Sequence, residues 1–310
     1  LKKFRREKMF NKAVKKKAKL RLGIVGSAGS GKSYSSLLIA KGLGGKIAVI
    51  DTENGSANLY ADLCEYDVCT IKAPYTMQKY LEAIKSAEKL GYNTIIIDSL
   101  SHAWAGEGGL LEQVDKISQS SQARNSYTAW RSVTPQHNHL IDAMLTSSCH
   151  IIATMRTKTD YVMQENEKGK QMPVKVGLAP IQREGMDYEF TVVFDIDAKH
   201  NAITSKDRTS LFDNLIFTPS EETGEMLLQW LESGEEEPLI TSEQIAEMED
   251  LAIDKIKLAQ FYRVESINKL TKEQAQEAID KKIEKLIKEK EAEINNRTTF
   301  EGAMDEPINN

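Results

Sequence analysis

The stretch that most constrains this chain is LGIVGSAGSGKSYSSLL, residues 22–38, in which Gly26-Ser27-Ala28-Gly29-Ser30-Gly31-Lys32-Ser33 fits the pattern G-x-x-x-x-G-K-[ST]. An apolar run precedes the motif and a helix-forming run follows it, which is the strand, loop and helix context that a phosphate-binding loop requires. Wrapping a triphosphate takes backbone N–H groups curled closely around an anion, and glycine allows the main chain to do so. Lys32 is placed to reach β- and γ-phosphate oxygens. Ser33 opens the following helix, where its hydroxyl can ligate Mg²⁺ while the helix N-terminus adds partial positive charge. The expected nucleotide contacts are Gly26, Ser27, Ala28, Gly29, Ser30, Gly31, Lys32, Ser33 and Tyr34.

From this loop onward apolar strands alternate with amphipathic helices, which predicts an α/β fold with a parallel sheet. Strands are expected at Ile24-Val25, 46–51, 68–72, 94–98 and 149–155, with helices over 32–43, 77–90 and 110–118. Asp98 ends a run of β-branched residues, so a buried strand delivers one carboxylate to the mouth of the site as a second Mg²⁺ anchor. Glu53 follows the second strand at the sheet edge where open α/β folds bind ligands, and there it can orient or deprotonate the attacking water. The plainer alternative is that Asp51, Asn54 and Gly55 simply build a turn. Arg156, after the fifth strand, reads as a phosphate-sensing or DNA-facing cation. Thr157-Lys158-Thr159-Asp160 resembles the base-reading T-K-x-D of GTPases, but Ser101 stands where the accompanying Asp-x-x-Gly needs glycine, which argues against guanine specificity.

Further along, Pro135 is expected to break a helix over 128–145. A hairpin is expected at 161–176 with a polar, mobile tip at 165–171, followed by a strand pair at 190–197 and 201–205. Lys206 and Arg208 come next, either as a solvated turn or as a cationic finger reaching a neighbouring subunit's γ-phosphate. Thr241-x-x-Gln244 and Thr271-x-x-Gln274 are capping boxes that each start a helix. The expected organisation is a basic segment (1–21), the ATPase core (22–232), a linker (233–240), a helical module (241–294) and a disordered tail (295–310).

Charge is uneven: 2–21 is densely basic against the lone Glu7, while 221–306 is predominantly acidic. The basic run can contact nucleic-acid phosphates or serve as a solvated helix. No apolar run approaches the ~20 residues that span a bilayer and no leader-peptide pattern occurs, so a soluble cytoplasmic protein without membrane contact is expected. The chain begins at Leu1 rather than Met, as a processed chain or a fragment would. Cys64, Cys69 and Cys149 lack a C-x-x-C pair, and no carboxylate or thiol stands at ligand spacing from His137, His139 or His150, so neither disulfides nor zinc are expected.

The order GSAGSGKS, VIDTENGS, TIIIDSLSHAW, CHIIATMRTK, LAPIQREGMDYEFTVVFDID and SKDR resembles the RecA-like AAA-type ATPases of bacteriophages and prophages, which are associated with single-strand annealing and recombination. The resemblance covers roughly residues 10 to 215, and QREGMDYEF followed by SKDR is its more discriminating part. It implies a RecA-like P-loop NTPase core with a mostly parallel sheet plus antiparallel edge strands, ATP with Mg²⁺, action on single-stranded DNA, and assembly into rings or filaments. It places phosphate binding on Gly26 to Ser33, the metal on Ser33 and Asp98, and water activation on Glu53. RecA-type proteins often end the strand after the second anchor with a γ-phosphate-sensing Gln, where this chain has Thr154-Met155-Arg156. The helical module lies outside the resemblance and is a candidate dock for other recombination or single-strand-binding proteins. Two other classes are a small-molecule phosphotransferase, which would need an arginine-rich lid, and an ATP-switched assembly module without significant hydrolysis.

Overall fold

The computed structural model describes residues 12–120, 126–165, 171–262 and 264–302. Contacts divide the chain into two units, 17–234 and a second made of 1–16 with 235–310.

The larger unit is built on an eight-stranded sheet: β1 (Arg21–Gly26), β2 (Ile47–Asp51), β3 (Asp67–Thr70), β4 (Thr94–Asp98), β5 (His150–Glu165), β6 (Gln171–Pro180), β7 (Val192–Ile196) and β8 (Ala202–Asp207). The strand order is β3-β2-β4-β5-β1-β7-β8, with β6 paired to β5 off this path. From β3 to β7 every pairing is parallel, whereas β7–β8 and β5–β6 are antiparallel. The RLGIVG, IAVID and TIIID strands are buried along their whole length, as strands covered on both faces must be. Helices α2 (Met77–Lys89), α3 (Ser101–Ala105), α4 (Leu110–Gln119) and α5 (Ser126–Leu145) contribute Tyr80, Ile84, Ala103, Val114 and Val133 to one core. Helices α1 (Lys32–Leu43) and α6 (Glu221–Glu232) contribute Leu37, Ile39, Leu227 and Leu231 to the core on the other face. Gly42 and Gly224 let α1 and α6 touch. A Cβ at Gly42 would lie 2.0 Å from the Glu221 carbonyl oxygen, and one at Gly224 would lie 2.2 Å from that of Ile39.

Strand order decides what meets at the C-terminal edge of the parallel strands. β5 lies between β1, which leads into the phosphate loop, and β4, which ends in Asp98, so residues at 154–156 are wedged between the two anchors. The fifth strand also runs on well past residue 155: one continuous β5 reaches Glu165 and forms the first arm of the expected hairpin, whose tip at 166–170 lies outside the described residues.

Three local expectations are corrected. Helix α5 runs unbroken through Pro135. Its face carries Ala129, Val133, Leu140, Ile141 and Met144 into the core, and the Ser132 and Thr134 hydroxyls bond back to the carbonyls of Ala129 (2.7 Å) and Trp130 (2.8 Å), so burial outweighs the lost N–H. Arg21 belongs to the core rather than to a phosphate-seeking arm. It is 7% exposed, and its guanidinium donates to the carbonyls of Leu20, Leu145, Ser147 and Cys149. The tail is helical as far as Gly302, because no proline or glycine interrupts 272–301; residues 303–310 lie outside the described residues.

In the smaller unit, α7 (Ser242–Asp250), α8 (Lys255–Phe261) and α9 (Lys272–Gly302) enclose Met248, Leu270, Ala275, Ala278 and Ile279. Both capping boxes form: Thr241 and Gln244 exchange bonds of 3.3 and 3.2 Å, Thr271 and Gln274 bonds of 3.1 and 3.0 Å. Within this unit Lys16 is engaged by Glu237 (3.1 Å) and Glu273 (3.0 Å). Residues 1–11, the first half of the expected arm, lie outside the described residues. Among the described residues no helix is long and apolar enough to cross a membrane.

Candidate active site

The phosphate loop takes its shape from its glycines. Gly29 and Gly31 have φ of 76° and 90°, and a Cβ on Gly26 would sit 2.4 Å from Ser30 Oγ and 2.8 Å from the Ile196 carbonyl. Lys32 opens α1, and its Nζ donates to the carbonyls of Gly26 (3.0 Å) and Ser27 (2.8 Å). Burial lowers the ammonium's pKa, against the opposing pull of Asp98 and Glu53.

Asp98 emerges from β4 almost fully buried. Ser33 Oγ donates to its Oδ2 and Thr154 Oγ1 to its Oδ1, both at 2.5 Å. Burial pushes this carboxyl above the ordinary carboxylate range, while the two hydroxyls pull it back. A buried acid whose charge is disfavoured, with a second hard oxygen donor at 2.5 Å, suits a small divalent cation of the Mg²⁺ class, which takes one or two protein oxygens and completes its shell with phosphates and water.

Glu53 follows β2, its N–H bonded to Asp51 Oδ1 at 2.6 Å. Beside it Thr52 Oγ1 accepts from Ser99 N (2.8 Å) and lies 2.7 Å from His102 Nδ1, tying the ends of β2 and β4 together. His102 stacks on Tyr75 with ring centroids 4.8 Å apart; burial, then the nearby Arg156 charge, lowers its pKa. The Glu53 carboxylate itself is gripped by Arg156, with Nε donating to Oε1 at 2.8 Å and a terminal nitrogen pairing with Oε2.

These groups share one cleft of about 470 Å³ lined by Gly31, Lys32, Ser33, Glu53, Asp98 and Arg156. A second, more apolar slot of about 670 Å³ opens from the same loop, lined by Gly29, Gly31, Tyr34, Leu38, Tyr60 and His200 among others. Tyr34 and Tyr60 meet edge to face at 6.0 Å, and His200 Nδ1 lies 2.9 Å from the Ser30 carbonyl. The slot's apolar walls suit a planar base while phosphates occupy the loop.

Most expected site residues therefore converge: the loop from Gly26 to Ser33, Tyr34, Glu53, Asp98 and Arg156. Lys206 and Arg208 do not. β8 returns antiparallel to β7, so Asp207 pairs with Val192, whose other neighbour Leu22 lies near the start of β1. The two cations thus sit at the end of the sheet opposite their own phosphate loop, where Lys206 Nζ donates to the carbonyls of Asp187 (2.9 Å) and Tyr188 (2.6 Å) and Arg208 to that of Tyr188 (3.4 Å). Thr154, Tyr60 and His200 join the site without having been expected there. Thr154 carried a usable signal, a polar residue inside the apolar run CHIIATM; Tyr60 and His200 sit in loop sequences with none.

A family model described as an AAA domain matches residues 18–223, which span the sheet, the loop and both anchors. No curated protein matches the chain.

Proposed function

The chain belongs to the AAA-domain family of P-loop ATPases, and from that premise we propose that it hydrolyses ATP with Mg²⁺ on single-stranded DNA during phage-type annealing or recombination, working as a homo-oligomer. The observation that carries the ATPase reading is the convergence of Lys32, Ser33, Asp98 and Glu53 in one cleft. The loop N–H groups and Lys32 hold the phosphates, Ser33 Oγ and Asp98 hold the cation, and Glu53 accepts a proton from the attacking water. Mg²⁺, when bound, neutralises charge on the β- and γ-phosphates. The apolar slot that Tyr34 and Tyr60 help to line receives the adenine.

Action on single-stranded DNA is supported by a groove of about 560 Å³ lined by Trp104, Trp130, Thr134, Arg183 and Tyr188. The two tryptophans stack at 5.6 Å, and Lys206 Nζ lies 5.9 Å from the Tyr188 ring. Aromatic faces interleaved with cations suit unpaired bases of any sequence. Groove and cleft are close along the chain: Ile181 lines the cleft and Arg183 the groove, while Gln182 donates to the Leu100 carbonyl at 3.3 Å. ATP turnover measured with and without a single-stranded oligonucleotide tests the reading. Trp130→Ala is expected to weaken oligonucleotide binding about tenfold for every sequence tried. Turnover indifferent to DNA, together with unchanged binding in that variant, would discard the DNA assignment while leaving the ATPase intact.

A homo-oligomeric assembly gives Lys206 and Arg208 a role that their placement denies them within one chain, since at the end of the sheet away from its own loop the exposed Arg208, with Lys206 beside it, can meet a neighbour's γ-phosphate. Mixing Arg208→Ala with Glu53→Gln protein is expected to restore part of the activity each lacks alone, because some interfaces pair an intact Glu53 with an intact Arg208. Mixtures that exchange subunits and stay inactive would return Arg208 to a solvated turn.

A further inference from the structure

The turn between β7 and β8 carries a histidine that the hydrolytic chemistry leaves unused. Asp197 builds this turn: its Oδ1 accepts from Lys199 N (2.8 Å) and Asn201 N (2.9 Å), while Asp197 N donates to Asn201 O (2.9 Å) and His200 N to Asp197 O (3.1 Å). His200 is thereby held at φ 67°, a left-handed conformation that costs a residue other than glycine energy and that the turn's bonds maintain. The result is a ring laid over the phosphate loop. Nδ1 sits 2.9 Å from the Ser30 carbonyl, and a Cβ on Gly31 would lie 3.0 Å from that same nitrogen. A carbonyl oxygen only accepts, so Nδ1 carries the proton of the neutral imidazole, and Nε2 is left a bare acceptor with no hydrogen-bond partner among the described residues.

His200 also lines the apolar slot beside the loop. Its side-chain neighbours there are apolar, as Leu38 and Pro219 are, or carry hydroxyls that rotate to donate or accept, as those of Tyr60, Thr218 and Ser220 do. Among the described residues His200 is therefore the slot side chain whose hydrogen-bonding sense is fixed in advance, by the bond its other nitrogen makes. We infer that His200 selects the base of the nucleotide, its Nε2 accepting a hydrogen bond from an exocyclic amino group such as the 6-amino of adenine and opposing the 6-oxo group of guanine or hypoxanthine. An oxo group meeting Nε2 sets two acceptors against each other and leaves both unpaired, a mismatch that a fixed acceptor penalises more than a rotating hydroxyl would. The inference rests on the reading of this slot as the base site and adds to it the residue that decides which base is held.

Diphosphates read the preference without hydrolysis, and ADP and inosine diphosphate present a 6-amino and a 6-oxo group at the same place on the purine. Titration calorimetry on the full chain with Mg²⁺, at about pH 8 and so above the ordinary imidazole range, is expected to show ADP bound roughly tenfold more tightly than inosine diphosphate. His200→Gly, which suits the positive φ, and His200→Asn, which tolerates it, are expected to bring that ratio to within about twofold of one. A histidine that only straps the loop gives a different result: both diphosphates weaken together in the variants and the ratio stays as in the parent. That result would overturn the inference. So would a parent that binds the two diphosphates equally, an outcome that needs no variant to fold. Failure of the underlying reading is distinct again, since a chain that binds neither diphosphate has no nucleotide site in this slot and loop.

Discussion

Lys32→Ala is expected to lower ATP turnover by about two to four orders of magnitude, and Asp98→Asn by a comparable factor, with the fold of both variants intact. Lys32 is the one side-chain cation that the loop itself supplies. Its Nζ already lies on the Gly26 and Ser27 carbonyls, so its reach is set by the loop rather than by a distant partner. Alanine there removes a charge from the phosphates but no packing from the core, since Lys32 is only partly buried at the start of α1. Asp98→Asn is the sharper variant. The amide can still meet the hydroxyls of Ser33 and Thr154, which rotate to donate or accept, so the local hydrogen bonds survive while the cation's charged ligand is lost. Burial disfavours the ionised acid at this position, so the neutral isostere is expected to leave the melting temperature unchanged or higher while turnover collapses. Turnover assays paired with thermal denaturation check both halves. Near-parental turnover in either variant would remove this cleft from the chemistry.

The parts of the site that could be read from the sequence are those encoded within a few residues of one another. The glycines, Lys32 and Ser33 of the loop share one turn, and TIIID announces a buried strand with an acid at its end. What could not be read depends on which strands become neighbours. Arg156 reaches Glu53 across 103 residues because β2, β4 and β5 lie side by side, an order that hydrophobic periodicity does not encode. The bond from Thr154 to Asp98 has the same origin. His200 reaches the phosphate loop because the β7–β8 turn folds over it, and that same antiparallel return carries Lys206 and Arg208 away from it. Charge pattern misled for a related reason. Arg21 closes a basic run and looked like part of its solvated face, but its place as the first residue of a central strand sets its guanidinium among carbonyls.

The neighbourhood of Arg21 also sets the strongest pH dependence expected of the fold. His150 opens β5, 4% exposed, with its Nδ1 accepting from Leu20 N at 3.0 Å and Lys19 Nζ lying 3.5 Å from its Nε2. Protonation would turn Nδ1 from acceptor to donor, oppose it to a main-chain N–H, and place a buried positive charge near Lys19 and Arg21. Burial first, then those two cations, push the imidazole's pKa down to about 3. The unfolded chain takes up a proton near the ordinary value of 6.5 while the native state does not until about 3, so stability rises with pH between those values and is lost on acidification through that window. One proton of difference gives a slope of about 1.4 kcal/mol per pH unit, hence roughly 2 kcal/mol between pH 6.5 and pH 5. His150→Asn keeps an acceptor near the Nδ1 position but cannot take up a proton. It is therefore expected to lower stability by a constant amount at neutral pH and to flatten the slope between pH 6.5 and 5 by about one proton's worth, other histidines such as His102 and His137 contributing equally to both proteins. Urea denaturation at several pH values reads the slope directly, and parallel curves for the two proteins over that window would show that His150 is protonated as readily folded as unfolded.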